Sequence, residues 1–228
     1  MTRPIIVFDL DGTLIDTAPD LLDSLNHVIT AEGLDPVSTA DLRSHVGHGA
    51  RAMLRRAYTA QERALPDARL EHLVAVFIEH YTANMPGRSR PFDGAVACMD
   101  RFEAAGFVLA VCTNKFEAMS RQLLEALGIG ERFAAVCGAN TFPVRKPEPG
   151  HLTGTIDRAG GDRNRAVMIG DSDTDINTAK AAGIPVVAVD FGYSPQPVDT
   201  FAPDRIISHF DALTPLMANE LIGARTRP

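Results

Sequence analysis

The feature that most constrains this 228-residue chain is a short apolar run, Pro4 to Leu10, interrupted near its end by Asp9 and followed at once by Asp11 and Gly12. An apolar run without alternation reads as a strand buried on both faces, the usual state of a central strand in a parallel sheet. Val108 to Cys112, Arg165 to Ile169 and Pro185 to Val189 have the same character. Helical patterns or glycine turns precede them, among them Met99 to Ala105 before Gly106 and Met119 to Leu127 before Gly128. Strands alternating with helices of that length predict an α/β fold built on a parallel sheet. Such sheets bind ligands at the carboxyl ends of their strands. Asp9 and Asp11, Thr113 and Asn114, and Asp171 to Asp175 each come directly after an apolar run, so the polar groups stand where that rule needs them.

Between Asp16 and Arg88 the rhythm changes. Asp20 to Ala31, Ala50 to Leu65 and Leu70 to Asn84 have helical apolar spacing with no strand-like run among them. Asp67 reads as the N-cap of the last of these helices. Three consecutive helices without a returning strand do not fit a βαβ rhythm, and they predict a small helical domain inserted after the first strand rather than helices covering the sheet. The hinges fall near Thr17 to Asp20 and near Pro86 to Pro91, where Pro and Gly break the pattern. The division is residues 1–16 and 89–228 for the core and 17–88 for the insertion, which would act as a lid over the strand ends.

A formal charge of -7 and a pI near 5.5 argue against a nucleic-acid partner, which would need a concentrated basic face. A small anionic substrate is compatible with that balance, because a metal or a local basic cluster outweighs a modest global charge. Cys98, Cys112 and Cys137 are widely spaced without a C-x-x-C and read as reduced, buried thiols. No apolar stretch approaches the roughly 20 residues a membrane span needs, and the start of the chain has no signal-peptide pattern. The expectation is a cytoplasmic protein without a membrane partner, either monomer or homodimer.

Asp9 and Asp11 are two apart in an extended segment, so their side chains leave on one side of the chain. Brought close together without a cation they repel, and one is driven toward protonation. A divalent ion removes that cost. Mg²⁺ suits a site of few carboxylates, water and phosphate oxygens, with Asp171 supplying a further carboxylate from a neighbouring strand end. Gly12 lets the backbone approach an anion closely. A carboxylate here has a second role open to it, as covalent nucleophile, with its neighbour two residues on as proton donor and acceptor. Thr113, Asn114 and Lys146 are the donor types available to phosphoryl oxygens.

The string from Asp9 to Thr17, Asp-Leu-Asp-Gly-Thr-Leu-Ile-Asp-Thr, resembles the first motif of the haloacid dehalogenase superfamily. The others follow in order: Thr113 with Asn114, then Lys146 within Arg145-Lys-Pro-Glu-Pro149, then Gly170-Asp-Ser-Asp-Thr-Asp175. The subgroup resembled is that of the phosphoglycolate phosphatases. The resemblance implies a parallel, Rossmann-like sheet core with an inserted all-helical cap domain, and Mg²⁺-dependent hydrolysis of a small phosphomonoester such as 2-phosphoglycolate. It implies that Asp9 is nucleophile and Mg²⁺ ligand, and that Asp11 is general acid/base and binds the ion through its backbone carbonyl. Thr113 and Asn114 would hold phosphate oxygens, Lys146 would neutralise nucleophile and phosphate, and Asp171 would complete the metal site. Asp175 would support that site from behind or orient Lys146, with capping of the following helix as its plain structural alternative. Asp173 is expected to point away.

In the cap, Ser44-His-Val-Gly47-His-Gly49-Ala-Arg51 puts two glycines ahead of a helix, a reasonable start for an anion site. Gly47, Gly49 and Arg51 are the candidate substrate contacts, with Arg51 and Arg55 on one helix face toward a substrate carboxylate. Arg55 and Arg56 also read as a solvated face. His45 and His48 are open between cleft and surface, and no partner is spaced with them for a metal. Three rivals share the superfamily. A sugar-phosphate phosphatase or mutase would use the same motifs. Lysine-dependent phosphonate hydrolysis needs a cap lysine, and residues 16–88 contain none. Dehalogenase chemistry leaves Asp11 and a metal without a task. A non-catalytic binding or regulatory protein on this fold would have lost some of Asp9, Asp11, Lys146 and Asp171, and all four are present.

Overall fold

The structure is a computed structural model that describes residues 3–38 and 49–225. Its centre is β1 (Arg3–Phe8), with Ile5, Ile6, Val7 and Phe8 all fully buried. At roughly 1.5–3 kcal/mol for each such side chain removed from water, this strand is a principal source of core stability. Ile6 and Phe8 pack into one apolar cluster and Ile5 and Val7 into another, so alternate residues serve opposite faces of the sheet. β4 (Val108–Cys112), β6 (Gly161–Gly170) and β7 (Val186–Val189) divide their residues between the same two clusters.

With β5 (Ala135–Cys137) and β8 (Arg205–Ile207) these strands form a six-stranded, all-parallel sheet in the order β5-β4-β1-β6-β7-β8. The order reverses at β1, between β4 on one side and β6 on the other, which is where an open α/β sheet forms its crevice. Helices Ala95–Ala104, Glu117–Ala126 and Pro215–Arg225 contribute to one apolar cluster, and Pro149–Arg158 and Asp173–Ala181 to the other.

Among the described residues the insertion holds α1 (Ala18–Ala31), α2 (Gly49–Ala60) and α3 (Asp67–Asn84), which share a third cluster around Leu25, Ile29, Leu54, Tyr58, Leu70 and Phe77. The core helices named above are then α4 to α8 in chain order: α4 (Ala95–Ala104), α5 (Glu117–Ala126), α6 (Pro149–Arg158), α7 (Asp173–Ala181) and α8 (Pro215–Arg225). The chain enters the insertion through β2 (Ile15–Asp16) and returns through β3 (Arg90–Pro91), which pair antiparallel. Asp20 ties this neck together. Its buried carboxylate accepts from the Arg88 N–H at 2.7 Å, from the Ser89 N–H at 2.8 Å and from the Ser89 hydroxyl. Gly87 has a φ of +51°, and a Cβ there would stand 2.5 Å from an Asp20 oxygen.

Several element boundaries differ from the sequence reading: the helix expected from Asp20 begins at Ala18, the one expected from Met99 begins at Ala95, and the strand expected over Arg165 to Ile169 runs from Gly161 to Gly170. The helix expected over 50–65 stops at Ala60, and Gln61 turns its amide onto the backbone of Asp35 at 2.8 and 2.9 Å. The next helix has Pro66 at its N-cap and Asp67 inside its first turn, where the Asp67 carboxylate pairs with Arg55 at 2.6 Å instead of capping. Among the described residues no helix is long and apolar enough to cross a membrane.

Candidate active site

Asp9 follows β1 directly, and its N–H continues the ladder to the carbonyl of Ile169 at 2.8 Å. Leu10 then accepts from the N–H groups of both Leu14 and Ile15, so the chain folds back tightly around Gly12. Gly12 has a φ of +87°, and a Cβ there would meet Asp171 Oδ2 at 2.5 Å and the Tyr193 ring at 2.7 Å. No other residue fits without displacing the carboxylate.

Asp171 follows β6 and is 2% exposed. Its Oδ1 accepts from the Thr13 hydroxyl at 3.2 Å and its Oδ2 from the Tyr193 N–H at 2.6 Å. Asp175 lies in the first turn of α7 and makes a reciprocal capping box with Ser172. Its Oδ2 accepts from the N–H groups of Asp171 and Ser172, both at 3.2 Å, and from the Ser172 hydroxyl at 2.7 Å. Its Oδ1 takes Lys146 Nζ at 2.6 Å, and Asp9 Oδ1 takes the same ammonium at 2.6 Å. Capping and orientation of Lys146 are therefore done by the two oxygens of one carboxylate.

Oxygens of Asp9, Asp171 and Asp175 all lie within 4.8 Å of one another. One buried ammonium stands against three buried carboxylates, an excess of negative charge in a place with little water. Burial first, then the neighbouring carboxylates, push Asp9 up to about 7 against the pull of Lys146. The same causes raise Asp171 well above the usual carboxylate range. Burial alone would lower Lys146, yet Asp175 and Asp9 carry it upward, so the ammonium stays charged. An all-oxygen cluster with uncompensated charge fits a hard divalent cation such as Mg²⁺ and has none of the sulfur or imidazole that zinc favours. Asp175 accepts the ammonium on Oδ1 and three donors on Oδ2, whereas Asp171 accepts one donor on each oxygen and Asp9 takes only the ammonium, so Asp9 and Asp171 keep more acceptor capacity for an ion.

Thr113 and Asn114 follow β4 on the opposite side of β1 from β6. The Thr113 hydroxyl oxygen accepts from the Lys115 N–H at 3.1 Å, which leaves its hydrogen to be donated. The Asn114 amide donates to the Lys146 carbonyl at 3.0 Å and so ties the two strand-end loops. His151, fully buried, accepts from the Lys146 N–H through Nδ1 at 3.2 Å, so its Nε2 carries the proton and donates to the Gly138 carbonyl at 3.1 Å. Burial, then the Lys146 charge, hold its pKa down at about 4.

The structure thus brings Asp9, Asp11, Gly12, Thr113, Asn114, Lys146, Asp171 and Asp175 to adjoining strand ends. Arg51 and Gly49 stand instead at the start of α2, where the Arg51 guanidinium pairs with both oxygens of Glu71, each side chain more than half exposed. Gly47, His45 and His48 lie outside the described residues. Besides His151, the neighbourhood holds Lys115, Tyr81 and Tyr193, none of them singled out from the sequence. Lys115 bonds both Asp11 oxygens, at 3.1 and 3.2 Å, and the Tyr81 hydroxyl at 2.9 Å. Tyr193 donates its hydroxyl to Asp16 Oδ1 at 2.5 Å and accepts from the Ala18 N–H at 2.9 Å. Lys115 did carry a signal, its place directly after the Thr113-Asn114 strand end.

The model of haloacid dehalogenase-like hydrolases matches residues 6–189, a span that takes in Asp9, Asp11, Thr113, Asn114, Lys146, Asp171 and Asp175. This chain belongs to the haloacid dehalogenase-like hydrolase family. A phosphoglycolate phosphatase of Mesorhizobium japonicum is 60% identical to this family member over 98% of the present chain and 99% of its own. One from Agrobacterium fabrum is 48% identical over 96% and 94% respectively. The crystal structure of a predicted phosphoglycolate phosphatase from Haemophilus somnus superposes on the hydrolase with a TM-score of 0.85 at 29% identity, covering 93% of this chain and 97% of that one. The haloacid dehalogenase-like core and its helical cap are those expected from the sequence motifs.

Proposed function

We propose that this hydrolase removes phosphate from 2-phosphoglycolate, through a phosphoryl group carried on Asp9, in the cytoplasm. The observation that carries the substrate assignment is the 60% identity, over nearly the full length of both chains, to a phosphoglycolate phosphatase. The buried cluster of Asp9, Lys146, Asp171 and Asp175 supports the chemistry. Three buried free thiols suit a reducing compartment. The separate apolar cluster of α1 to α3 and the paired neck at Asp16 and Arg90 support a division into a core of residues 1–16 and 89–228 and a cap of residues 17–88.

Asp9, Asp171 and the Asp11 carbonyl would hold Mg²⁺, which when bound neutralises the carboxylates and the phosphoryl oxygens. An Asp9 oxygen attacks phosphorus, and the ester oxygen departs with its electron pair and takes a proton from Asp11. Water then attacks the same phosphorus, gives a proton to Asp11, and frees phosphate and Asp9. Lys146 keeps Asp9 in position and offsets charge on the phosphoryl group, while the Thr113 hydroxyl, the Asn114 amide and the backbone around Gly12 donate to its oxygens. Gly47, Gly49 and Arg51 belong to the cap segment proposed to meet the leaving group.

The test is kcat/KM with Mg²⁺ across 2-phosphoglycolate, three- and five-carbon sugar phosphates and β-glucose 1-phosphate, with phosphate and isomerised product both followed, and again after EDTA. Phosphate release favouring 2-phosphoglycolate by a hundredfold or more, abolished by EDTA and restored by Mg²⁺, is expected. A flat profile would remove the substrate assignment, and isomerisation without phosphate release would replace hydrolysis by mutase chemistry.

A further inference from the structure

We propose that Lys115 sets specificity for the leaving group: its ammonium, held between the Asp11 carboxylate and the Tyr81 hydroxyl, is the cation that receives the carboxylate of an acidic phosphate ester. The inference rests on the proposed role of Asp11 and on a carboxylated substrate.

Position is the first argument. A group that protonates the ester oxygen must come within hydrogen-bond reach of it. In 2-phosphoglycolate only one methylene separates that oxygen from the carboxylate carbon. A cation 3.1 and 3.2 Å from the two Asp11 oxygens is therefore a neighbour of the leaving group's own charge.

Charge is the second. Lys146 is committed to Asp9 and Asp175, and Arg51 to Glu71 on the exposed side of the cap. The Lys115 side chain is only 5% exposed, so its ammonium acts where water screens little. Burial opposes its charge, but Asp11 and Tyr81 raise its pKa and keep it cationic.

The third argument is the company Lys115 keeps. Tyr81 belongs to α3 of the cap, and the ammonium lies 4.3 Å from its ring centroid as well as bonding its hydroxyl. Seven residues beyond Lys115, Gln122 of α5 donates to the Thr82 carbonyl at 3.1 Å, and Met119 packs against the cap's apolar cluster. Lys115 thus stands at the seam between the core loop that bears the chemistry and the helix that covers it.

These contacts give the site an exchange. A substrate carboxylate takes the place of the Asp11 carboxylate on Lys115, one anion for another, and Asp11, freed of the ammonium that favours its ionised form, takes up a proton from solvent and turns to the ester oxygen as the acid. A neutral leaving group offers Lys115 nothing, and Asp11 stays tied. Discrimination then appears in kcat/KM, because it acts on the step that breaks the ester bond.

The experiment compares kcat/KM for 2-phosphoglycolate with that for 2-hydroxyethyl phosphate, in which a neutral hydroxymethyl group replaces the carboxylate. Wild type, Lys115→Met, Lys115→Gln, Arg51→Ala and Gln122→Ala are measured with Mg²⁺, with thermal unfolding as the check on folding. Loss of one charge-assisted contact reduces the wild-type preference roughly ten- to a hundredfold in Lys115→Met. Lys115→Gln, which keeps a polar side chain of similar length, carries the same readout should the Met variant fold poorly. Gln122→Ala loosens the same seam without touching Asp11 and keeps the preference. An unchanged preference in folded Lys115→Met or Lys115→Gln overturns the assignment, as does a loss confined to Arg51→Ala, which would give the role to the cap arginine. A wild-type enzyme with no preference for the acidic ester overturns the substrate reading and the Lys115 role together.

Discussion

Replacing Tyr193 by Phe removes one oxygen from the junction of core and cap and leaves the rest of the residue in place. The hydroxyl is buried, donates to the Asp16 carboxylate at 2.5 Å and accepts from the Ala18 N–H at 2.9 Å. The first bond has a charged acceptor and is worth roughly 1.5–3 kcal/mol, and the second about 1 kcal/mol. Both partners lie where water does not readily replace the lost group, since Asp16 is 9% exposed and Ala18 1%. The expected loss is therefore about 3 kcal/mol, a fall in Tm of roughly 6–12 °C for a chain of this length. The Tyr193 N–H still bonds Asp171 Oδ2, and the ring still packs near Phe92, so neither the contact to the proposed metal ligand nor the aromatic contact is removed. The measurement is urea and thermal unfolding of wild type and Tyr193→Phe at neutral pH with saturating Mg²⁺, with coincident transitions by two probes as the condition for reading a free energy. A Tm within about 2 °C of wild type at an unchanged m-value would refute the claim that this hydroxyl ties the cap's entry to the core.

Asp9→Asn keeps the shape of the site but removes the proposed nucleophile, and turnover should fall at least about a thousandfold; a variant with near-normal kcat would exclude the phosphoryl-aspartate route. His151 is neutral in the folded protein with a pKa near 4, against 6.5 when exposed. A depressed folded pKa means that its stability contribution is full above about pH 6.5 and is lost as pH falls toward 4, a change on the order of 3 kcal/mol. His151→Asn should flatten the stability profile across that window, and an unaltered slope would show that the acid sensitivity arises elsewhere.

How much was legible in advance followed from how each feature is encoded. The apolar runs of β1 and β4 are visible because a strand buried on both faces has no polar alternation to hide it, and the groups after them had to face the crevice. β5 and β8 are three residues each at the sheet edges, too short for a periodic signal. α6 and α8 begin at Pro149 and Pro215, residues that read as breaks until their first-turn position is known. Lys115 and Tyr193 were missed because their partners are remote in sequence: Lys115 meets Asp11 across 104 residues and Tyr193 meets Asp16 across 177. Local pattern carries no trace of such pairings. Arg51 shows the converse: helical spacing put it on a face with Arg55, while Glu71 and Asp67 on α3 decide where those charges rest.

The neck has a topological consequence. Because Ile15 pairs with Pro91 and Asp16 with Arg90, the chain leaves the core and re-enters it at neighbouring points. Two strands held this way can be closed by a hairpin turn of a few residues, at a small entropic cost compared with looping out an unstructured segment. The route through the sheet from β1 to β4 is therefore independent of what is strung between Asp16 and Arg90. A differently shaped insert at that position would alter the roof of the crevice without rethreading the floor.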